Sequence, residues 1–226
     1  MNEVRCHERE LTVPPQSDRM TRYYRVHSHI YDCTRWSFLF GRRQIIEEVK
    51  LLGTPRYILE VGCGTGANLE ALARSFPKAD IIGVDIAAPM LEKAKKRLRP
   101  FHRRVELVKN DYRTPLHSGG FDLVLFSYSL TMMNPGWERA LLAAEKDLAP
   151  SGQLAVVDFD RPGMTWFGEW MACNHVRMDG HLLPALERRF TPVISTRFGV
   201  YCGLWRYFLF LGDKRNNVSN QSNLVR

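Results

Sequence analysis

Between residues 57 and 159 the chain alternates two hydrophobic periods. Short, nearly continuous apolar runs fall at 57–61, 80–84, 105–109, 123–126 and 153–159. Runs of this kind, without polar alternation, are expected of strands buried on both faces. Between them lie segments with apolar residues three and four apart, near 66–75, 88–98 and 136–148, the last stopped by Pro150-Ser-Gly152. Strand and helix alternating in this way predict right-handed crossovers and a mainly parallel sheet. Upstream, Met20, Tyr23, Tyr24, His27 and Tyr31 recur on one face of a helix. A second helical segment contains Trp36, Phe38, Leu39, Phe40, Ile45, Ile46, Val49 and Leu52 and ends at Gly53-Thr-Pro55. Downstream, residues 164–189 read as helical. Two β-rich segments follow at 193–201 and 204–211, with Gly203 between them. The expected division is a leader at 1–18, a helical lid at 19–54, an α/β domain at 55–212 and a polar tail at 213–226.

The chemistry concentrates where strands end. Ile58-Leu-Glu-Val-Gly-Cys-Gly-Thr-Gly-Ala-Asn68 runs from a strand through three alternate glycines into a helix. Glycine there lets a backbone approach a ligand closely. Asp85 ends the second strand 19 residues past Gly66, where an α/β nucleoside site places a carboxylate to accept ribose hydroxyls. Gly62-x-Gly64-x-x-Ala67 also satisfies a loose dinucleotide fingerprint. Glu60, inside the first strand, suits a cationic ligand better than a pyrophosphate. The third strand ends in Asn110-Asp111-Tyr112, with a carboxylate for an adenine amine and an aromatic for its ring. No Tyr-x-x-x-Lys pair is available for a short-chain dehydrogenase.

Together the glycine loop, Asp85, Asp111 and the strand ending at Ser127 resemble the class I S-adenosylmethionine-dependent methyltransferases over roughly residues 55 to 160. The resemblance implies a Rossmann-like fold, a mainly parallel seven-stranded sheet with a C-terminal antiparallel pair and an N-terminal helical lid. It also implies S-adenosyl-L-methionine as cofactor, with Glu60, Gly62, Gly64, Gly66, Asp85, Ile86, Met90, Asp111, Tyr112 and Ser127 around it. Ile86 and Met90 would wall the adenine ring. Tyr24, Tyr31 and Tyr128 are the candidates for the catalytic side of the site, with His27, Asp158 and Asp160 as further acceptor-pocket candidates. The residues 23–41, with Ile-Tyr-Asp, Thr-Arg-Trp and Phe-Leu-Phe-Gly, resemble the bacterial diacylglycerylhomoserine N-methyltransferases of betaine-lipid synthesis. Residues 203–214 resemble their closing segment, with Asp213 departing from the usual Gly-Arg-Lys. That likeness implies trimethylation of a lipid-borne homoserine amine. A methyltransferase for a soluble small molecule or a quinone ring stays open.

Composition narrows the classes. The chain has 226 residues, 45% hydrophobic, enough for one domain with a substantial core. Five cysteines are dispersed with no Cys-x-x-Cys pair, which argues against a disulfide framework or a zinc site, and no metal is expected. No secretory leader or membrane-spanning run is visible, so the expected location is the cytoplasm. The formal net charge is +8, favouring an anionic partner. Arg19, Arg22, Arg25, Arg35, Arg42 and Arg43 crowd the N-terminal region, which could lie on an anionic inner membrane face or pack as a lid. The basic run from Lys93 to Arg104 reads as a solvated helix face. Nucleic acid is not expected, because Ser127-Tyr-Ser-Leu130 stands where a base-modifying enzyme has Asn/Asp-Pro-Pro-Tyr/Phe.

Overall fold

The computed structural model describes residues 39–173 and 175–215. The expected leader, the helix carrying Tyr24, His27 and Tyr31, and the end of the polar tail lie outside the described residues. Within them the order is α1 (Arg42–Leu52), β1 (Tyr57–Val61), α2 (Ala67–Ser75), β2 (Asp80–Asp85), α3 (Ala88–Arg97), β3 (Val105–Lys109) and β4 (Phe121–Ser127). Then come α4 (Trp137–Asp147), β5 (Leu148–Pro162), α5 (Thr165–Cys173), α6 (Leu182–Arg189), β6 (Phe190–Val200) and β7 (Trp205–Lys214).

The strands form one sheet in the order β3-β2-β1-β4-β5-β7-β6. The first five are parallel, and β7 runs antiparallel to both β5 and β6. Each face carries its own core, set by the period of two along each strand. Ile58, Leu123, Leu125, Ala155, Val157, Leu209 and Leu211 pack against α1, α2, α3 and α5. Their neighbours Leu59, Val61, Val124, Phe126, Val156, Phe208 and Phe210 pack against α4 and α6. Burying one such side chain contributes about 1.5–3 kcal/mol before entropy is counted. The central strands are therefore the part of the molecule least able to tolerate a polar residue.

Three boundaries differ from expectation, each for a local reason. Helix α4 passes straight into β5 at Leu148, whose φ −64° and ψ 134° are already extended. Leu148 pairs with Phe121, so Pro150-Ser-Gly152 lies within the span of β5 instead of between elements. The region read as helical at 164–189 resolves into two helices, α5 and α6, with Gly180 at φ +74° in the turn between them. Strand β7 extends through Lys214 instead of stopping at 211. Asp213 accepts a hydrogen bond from Gln153 Nε2 at 2.8 Å, and Lys214 Nζ donates to the Leu148 carbonyl at 2.5 Å. The departure at Asp213 thus holds the C-terminal strand to β5.

Candidate active site

Strand β1 runs directly into the glycine turn. The Gly62 and Cys63 N–H groups both donate to the Val84 carbonyl, at 2.8 and 2.9 Å, pinning the turn to the end of β2. Gly62 has φ +75°, and a Cβ there would meet the Ser129 Cβ at 2.5 Å. Ser129 is fixed in turn by donating to the Val61 carbonyl at 2.9 Å. Gly66, at φ +77°, faces the other way: its Cβ would meet Leu98 Cδ1 at 2.9 Å and Ala94 Cβ at 3.1 Å. One glycine is thus demanded by the loop after β4 and the other by α3. Left-handed backbone and close contact act together at both positions.

Asp85 organises the mouth of this turn. Its Oδ2 accepts from the Gly64 N–H and its Oδ1 from the Ala87 N–H, both at 2.8 Å. The half-buried carboxylate ties the glycine turn to the β2–α3 turn. Beside it, Ala87 and Met90 are buried in a small cluster with Ile86 and Met132, separate from the two main cores. A strand-end carboxylate next to an isolated apolar wall fits a nucleoside. In this arrangement Asp85 would take the ribose hydroxyls, and Ile86 and Met90 would take one face of the base.

Glu60 is 1% exposed, deep in β1. Its Oε1 accepts from Asn68 Nδ2 at 2.9 Å, and Asn68 Oδ1 accepts from Arg42 Nε at 2.8 Å. This relay links α1, the first turn of α2 and β1. Low local dielectric strengthens it and makes any broken link costly. A second arginine, Arg97 of α3, donates to the Thr65 carbonyl at 3.0 Å and to its hydroxyl at 3.1 Å. Arg104 caps the end of α2 through the carbonyls of Ala73, Phe76 and Ala79. The basic run from Lys93 to Arg104 is therefore not only a solvated face. Asn68, Arg97 and Ser129 were missed as site-building residues. Their signal is position: one in the first turn after the glycines, one at the end of the next helix, one just past β4.

Other expected residues are placed differently. Asp111 is half-exposed and pairs with Arg113 at 3.0 Å. Tyr112 does not present its ring to a ligand. It is buried against Phe126 at 6.2 Å between ring centroids, and its hydroxyl donates to Asp147 Oδ2 at 2.9 Å. Burial, reinforced by that carboxylate, pushes its pKa far above the usual phenol value. Asp147 also accepts the N–H groups of Leu116 and His117, so Tyr112 belongs to the packing of the β3–β4 connection. Tyr128 is likewise structural. It is buried edge-on to Phe159, and its hydroxyl donates to the Phe40 carbonyl at 2.7 Å. Burial, with the nearby Asp158 charge, raises its pKa well above normal, which removes it as a base near neutral pH. Ser127 is buried, and its hydroxyl has no hydrogen-bond partner among the described residues.

Asp158 is fully buried and is not a pocket residue. Its two oxygens accept from Thr131 Oγ1, Phe159 N, Leu130 N and Thr131 N at 2.5–3.2 Å. Burial raises its pKa to about 6, with those four donors opposing the shift. Its job is to fix the loop after β4, including the Ser129 that backs Gly62. Asp160, also buried, is 3.3 Å from Arg197 Nε.

Past the end of β5, a cleft of about 670 Å³ opens between the Pro162–Thr165 turn, α5 and residues 175–179. Helix α5 lines it with Thr165, Gly168, Glu169 and Ala172. Asn134, Arg177 and Asp179 face it from the other side. Arg177 pairs with Asp179 at 2.7 Å, and His181 Nδ1 contacts the same carboxylate. Burial would raise Asp179, but these two partners outweigh it and hold its pKa below the usual value. Among the described residues no group of three or more histidine, cysteine or carboxylate side chains could hold a metal ion. None of their helices is long and apolar enough to cross a membrane.

An open sheet of this order, with a glycine turn after β1 and a carboxylate closing β2, defines the class I methyltransferase arrangement. Residues 58–152 match the family model described as a methyltransferase domain. The demethylmenaquinone methyltransferase of Thermus thermophilus is 30% identical over 177 residues, covering 76% of each chain. The trans-aconitate 2-methyltransferase of Deinococcus radiodurans is 31% identical over 148 residues, 65% of this chain and 50% of the relative. Among solved structures, the 1,6-didemethyltoxoflavin-N1-methyltransferase of Burkholderia thailandensis superposes with a TM-score of 0.70 at 19% identity. It covers 93% of this chain and 94% of its own. The chain belongs to the S-adenosylmethionine-dependent class I methyltransferases. It is an enzyme of that class, and S-adenosyl-L-methionine is its cofactor.

Proposed function

We propose that this methyltransferase acts on the homoserine amine of diacylglycerylhomoserine and carries it to the trimethylated betaine. The observation that carries this reading is the segment 203–214, which resembles the closing segment of that enzyme group. It forms β7, the strand that joins β5 to β6 beside the cleft. The N-terminal likeness at residues 23–41 adds support, although Tyr24 and Tyr31 lie outside the described residues and keep their catalytic assignment only as part of this proposal.

The bound cofactor supplies an electrophilic methyl group on a sulfonium, and transfer is an in-line displacement. The chain's task is alignment and exclusion of water. Glu60, the three glycines, Asp85, Ile86, Met90, Asp111 and Ser127 hold the cofactor, and the cleft beside α5 receives the acceptor. An amine attacks only as the free base. Asp158 has all its acceptor positions filled, and Tyr128 holds its proton on the Phe40 carbonyl, so neither takes that proton. The acceptor therefore loses it to solvent before it is enclosed. Three rounds of transfer then require that partly methylated products remain bound or return.

A quinone-ring acceptor is the second reading, favoured by the likeness to the demethylmenaquinone methyltransferase. Purified protein with radiolabelled S-adenosylmethionine and mixed micelles of either diacylglycerylhomoserine or a demethylated quinone separates the two. The proposal expects label in the homoserine lipid, running as the trimethylated product. Label in the quinone alone would overturn it.

A further inference from the structure

Helix α5, Thr165-Trp-Phe-Gly-Glu-Trp-Met-Ala-Cys173, carries a single charged side chain, Glu169. Phe167 and Met171 are buried in the core, and Glu169 falls with Thr165 and Ala172 on the stripe that lines the cleft. The Glu169 carboxylate forms no ion pair or hydrogen bond among the described residues. Across the cleft the charges are already matched. Arg177 donates through Nε to Asp179 Oδ2 at 2.7 Å, and the His181 N–H and ring Nδ1 meet the other oxygen of that carboxylate. The Arg161 side chain lies against Gly180 and is not among the lining residues. Counting histidine as neutral, two carboxylates and one guanidinium leave the cleft lining acidic in a chain whose net charge is +8.

The loop after β4 ties the cleft to the cofactor side. The Thr131 carbonyl accepts from Asn134 Nδ2 at 2.8 Å and from the Arg177 N–H at 3.0 Å, and both donors belong to cleft residues. Two residues earlier Ser129 backs Gly62, and Met132 joins the wall made by Ile86 and Met90. One short loop thus touches the glycine turn, the apolar wall and the cleft. Met164, Val176 and Met178 give the cleft apolar lining, so an unpaired carboxylate among them is the group that orients a ligand.

We infer that Glu169 is the specificity residue of the acceptor cleft and selects a cationic ammonium group. This role rests on the amine-acceptor reading and names the residue that recognises the amine. An unpaired carboxylate beside apolar side chains favours a cation and disfavours an anionic acceptor. Glu169 is not the base: the amine gives its proton to solvent before each transfer. The methyl carbon then passes from sulfur to nitrogen, and the electron pair of the broken bond stays on sulfur. After the first and second transfers the nitrogen is a cation that still carries N–H bonds, and Glu169 retains it through a charge-assisted hydrogen bond. After the third no N–H is left, that bond is lost and the product leaves. Retention between rounds is the requirement that three successive methylations impose.

The test is calorimetric titration of O-methyl-L-homoserine, which carries the free amine, into the full chain saturated with S-adenosylhomocysteine. Its N-acetyl derivative, which lacks the cation, is titrated in parallel. Wild type is expected to bind the amine and not the N-acetyl compound. Glu169→Gln should bind the amine about fivefold more weakly and Glu169→Lys at least about tenfold more weakly. S-adenosylmethionine affinity should be unchanged in both variants, which controls for folding. On micelles of diacylglycerylhomoserine, Glu169→Gln should raise the KM for lipid about fivefold and release mono- and dimethylated lipid that wild type carries through. Three results would each overturn the inference: no binding of the amine by wild type, equal binding of it by Glu169→Lys, or equal binding of the N-acetyl compound by wild type. Glu169-dependent amine binding with no transfer to the lipid would sink the substrate assignment and leave the cation site standing. Lipid transfer with an unaltered KM and product pattern in both variants would sink the cation site and leave the substrate assignment.

Discussion

Along one edge of the sheet, the loops after β1, β2 and β4 differ sharply from those after β5 and β6. In the first group, polar atoms are committed to backbone: Val84 takes two N–H groups, Asp85 takes two, and Asp158 takes three backbone N–H groups and a hydroxyl. In the second, Trp166, Trp170 and Tyr201 are about half exposed beside an open cleft. The first half can hold one ligand in one way, because moving any loop orphans several donors. The second can be rebuilt without disturbing the sheet.

The comparison is broken most severely at Gly62. Gly62→Ala requires a left-handed alanine and a collision with Ser129. It should cost about 1–3 kcal/mol of stability and roughly 100-fold or more in cofactor affinity. Chemical denaturation and calorimetry on the same preparation would separate the two losses. Asp158→Ala comes next, leaving two N–H groups of the β4 loop and the Thr131 hydroxyl without their acceptor. A loss of about 2–4 kcal/mol is expected in urea melts.

Asp158 also gives the comparison a pH signature. Its folded pKa of about 6 lies above the unfolded value of 3.8, so the native state binds the extra proton between those limits. The group's contribution to stability is therefore fully present below about pH 4 and is lost as pH rises through 6. The stability of wild type minus that of Asp158→Asn should fall across this window and level off above it, by urea midpoints at each pH. An increase with pH would show that the carboxylate is stabilised as an anion.

Smaller effects sharpen the boundary between holding and reacting. Asn68→Ala cuts the Arg42–Asn68–Glu60 relay and should raise the KM for S-adenosylmethionine by about tenfold with a modest change in kcat. Tyr128→Phe removes only the hydrogen bond to Phe40. It should cost about 1 kcal/mol of stability and leave kcat within about threefold. A loss of several hundredfold would restore Tyr128 to the catalytic group.

The fold was readable because β1, β2, β4 and β5 are continuous apolar runs and the helices between them carry a clear 3.6 period. The placing of Gly62, Gly66 and Asp85 at and just past strand ends was readable for the same reason, since strand ends fix where loops must be. Tyr112 and Tyr128 were misread through one shared cause. Both follow strand ends with positive φ, 51° and 54°, which reverses the direction the strand would give the side chain and turns each ring into the core. Sequence spacing carries no sign of that reversal in a tyrosine. Asp158 and Arg97 show a second limit, since a carboxylate or guanidinium looks the same whether it meets a ligand or a backbone loop. The start of β5 was hidden by Pro150, tolerated where residues 149–152 lie outside the paired register.

The central claim is that the glycine turn and Asp85 together make the cofactor site. Calorimetric titration of S-adenosylmethionine into wild type and Asp85→Ala, with Asp111→Ala in parallel, tests it most directly. The account predicts one-to-one binding by wild type, none detectable in Asp85→Ala, and a smaller loss in Asp111→Ala. Unaltered binding by folded Asp85→Ala would contradict it.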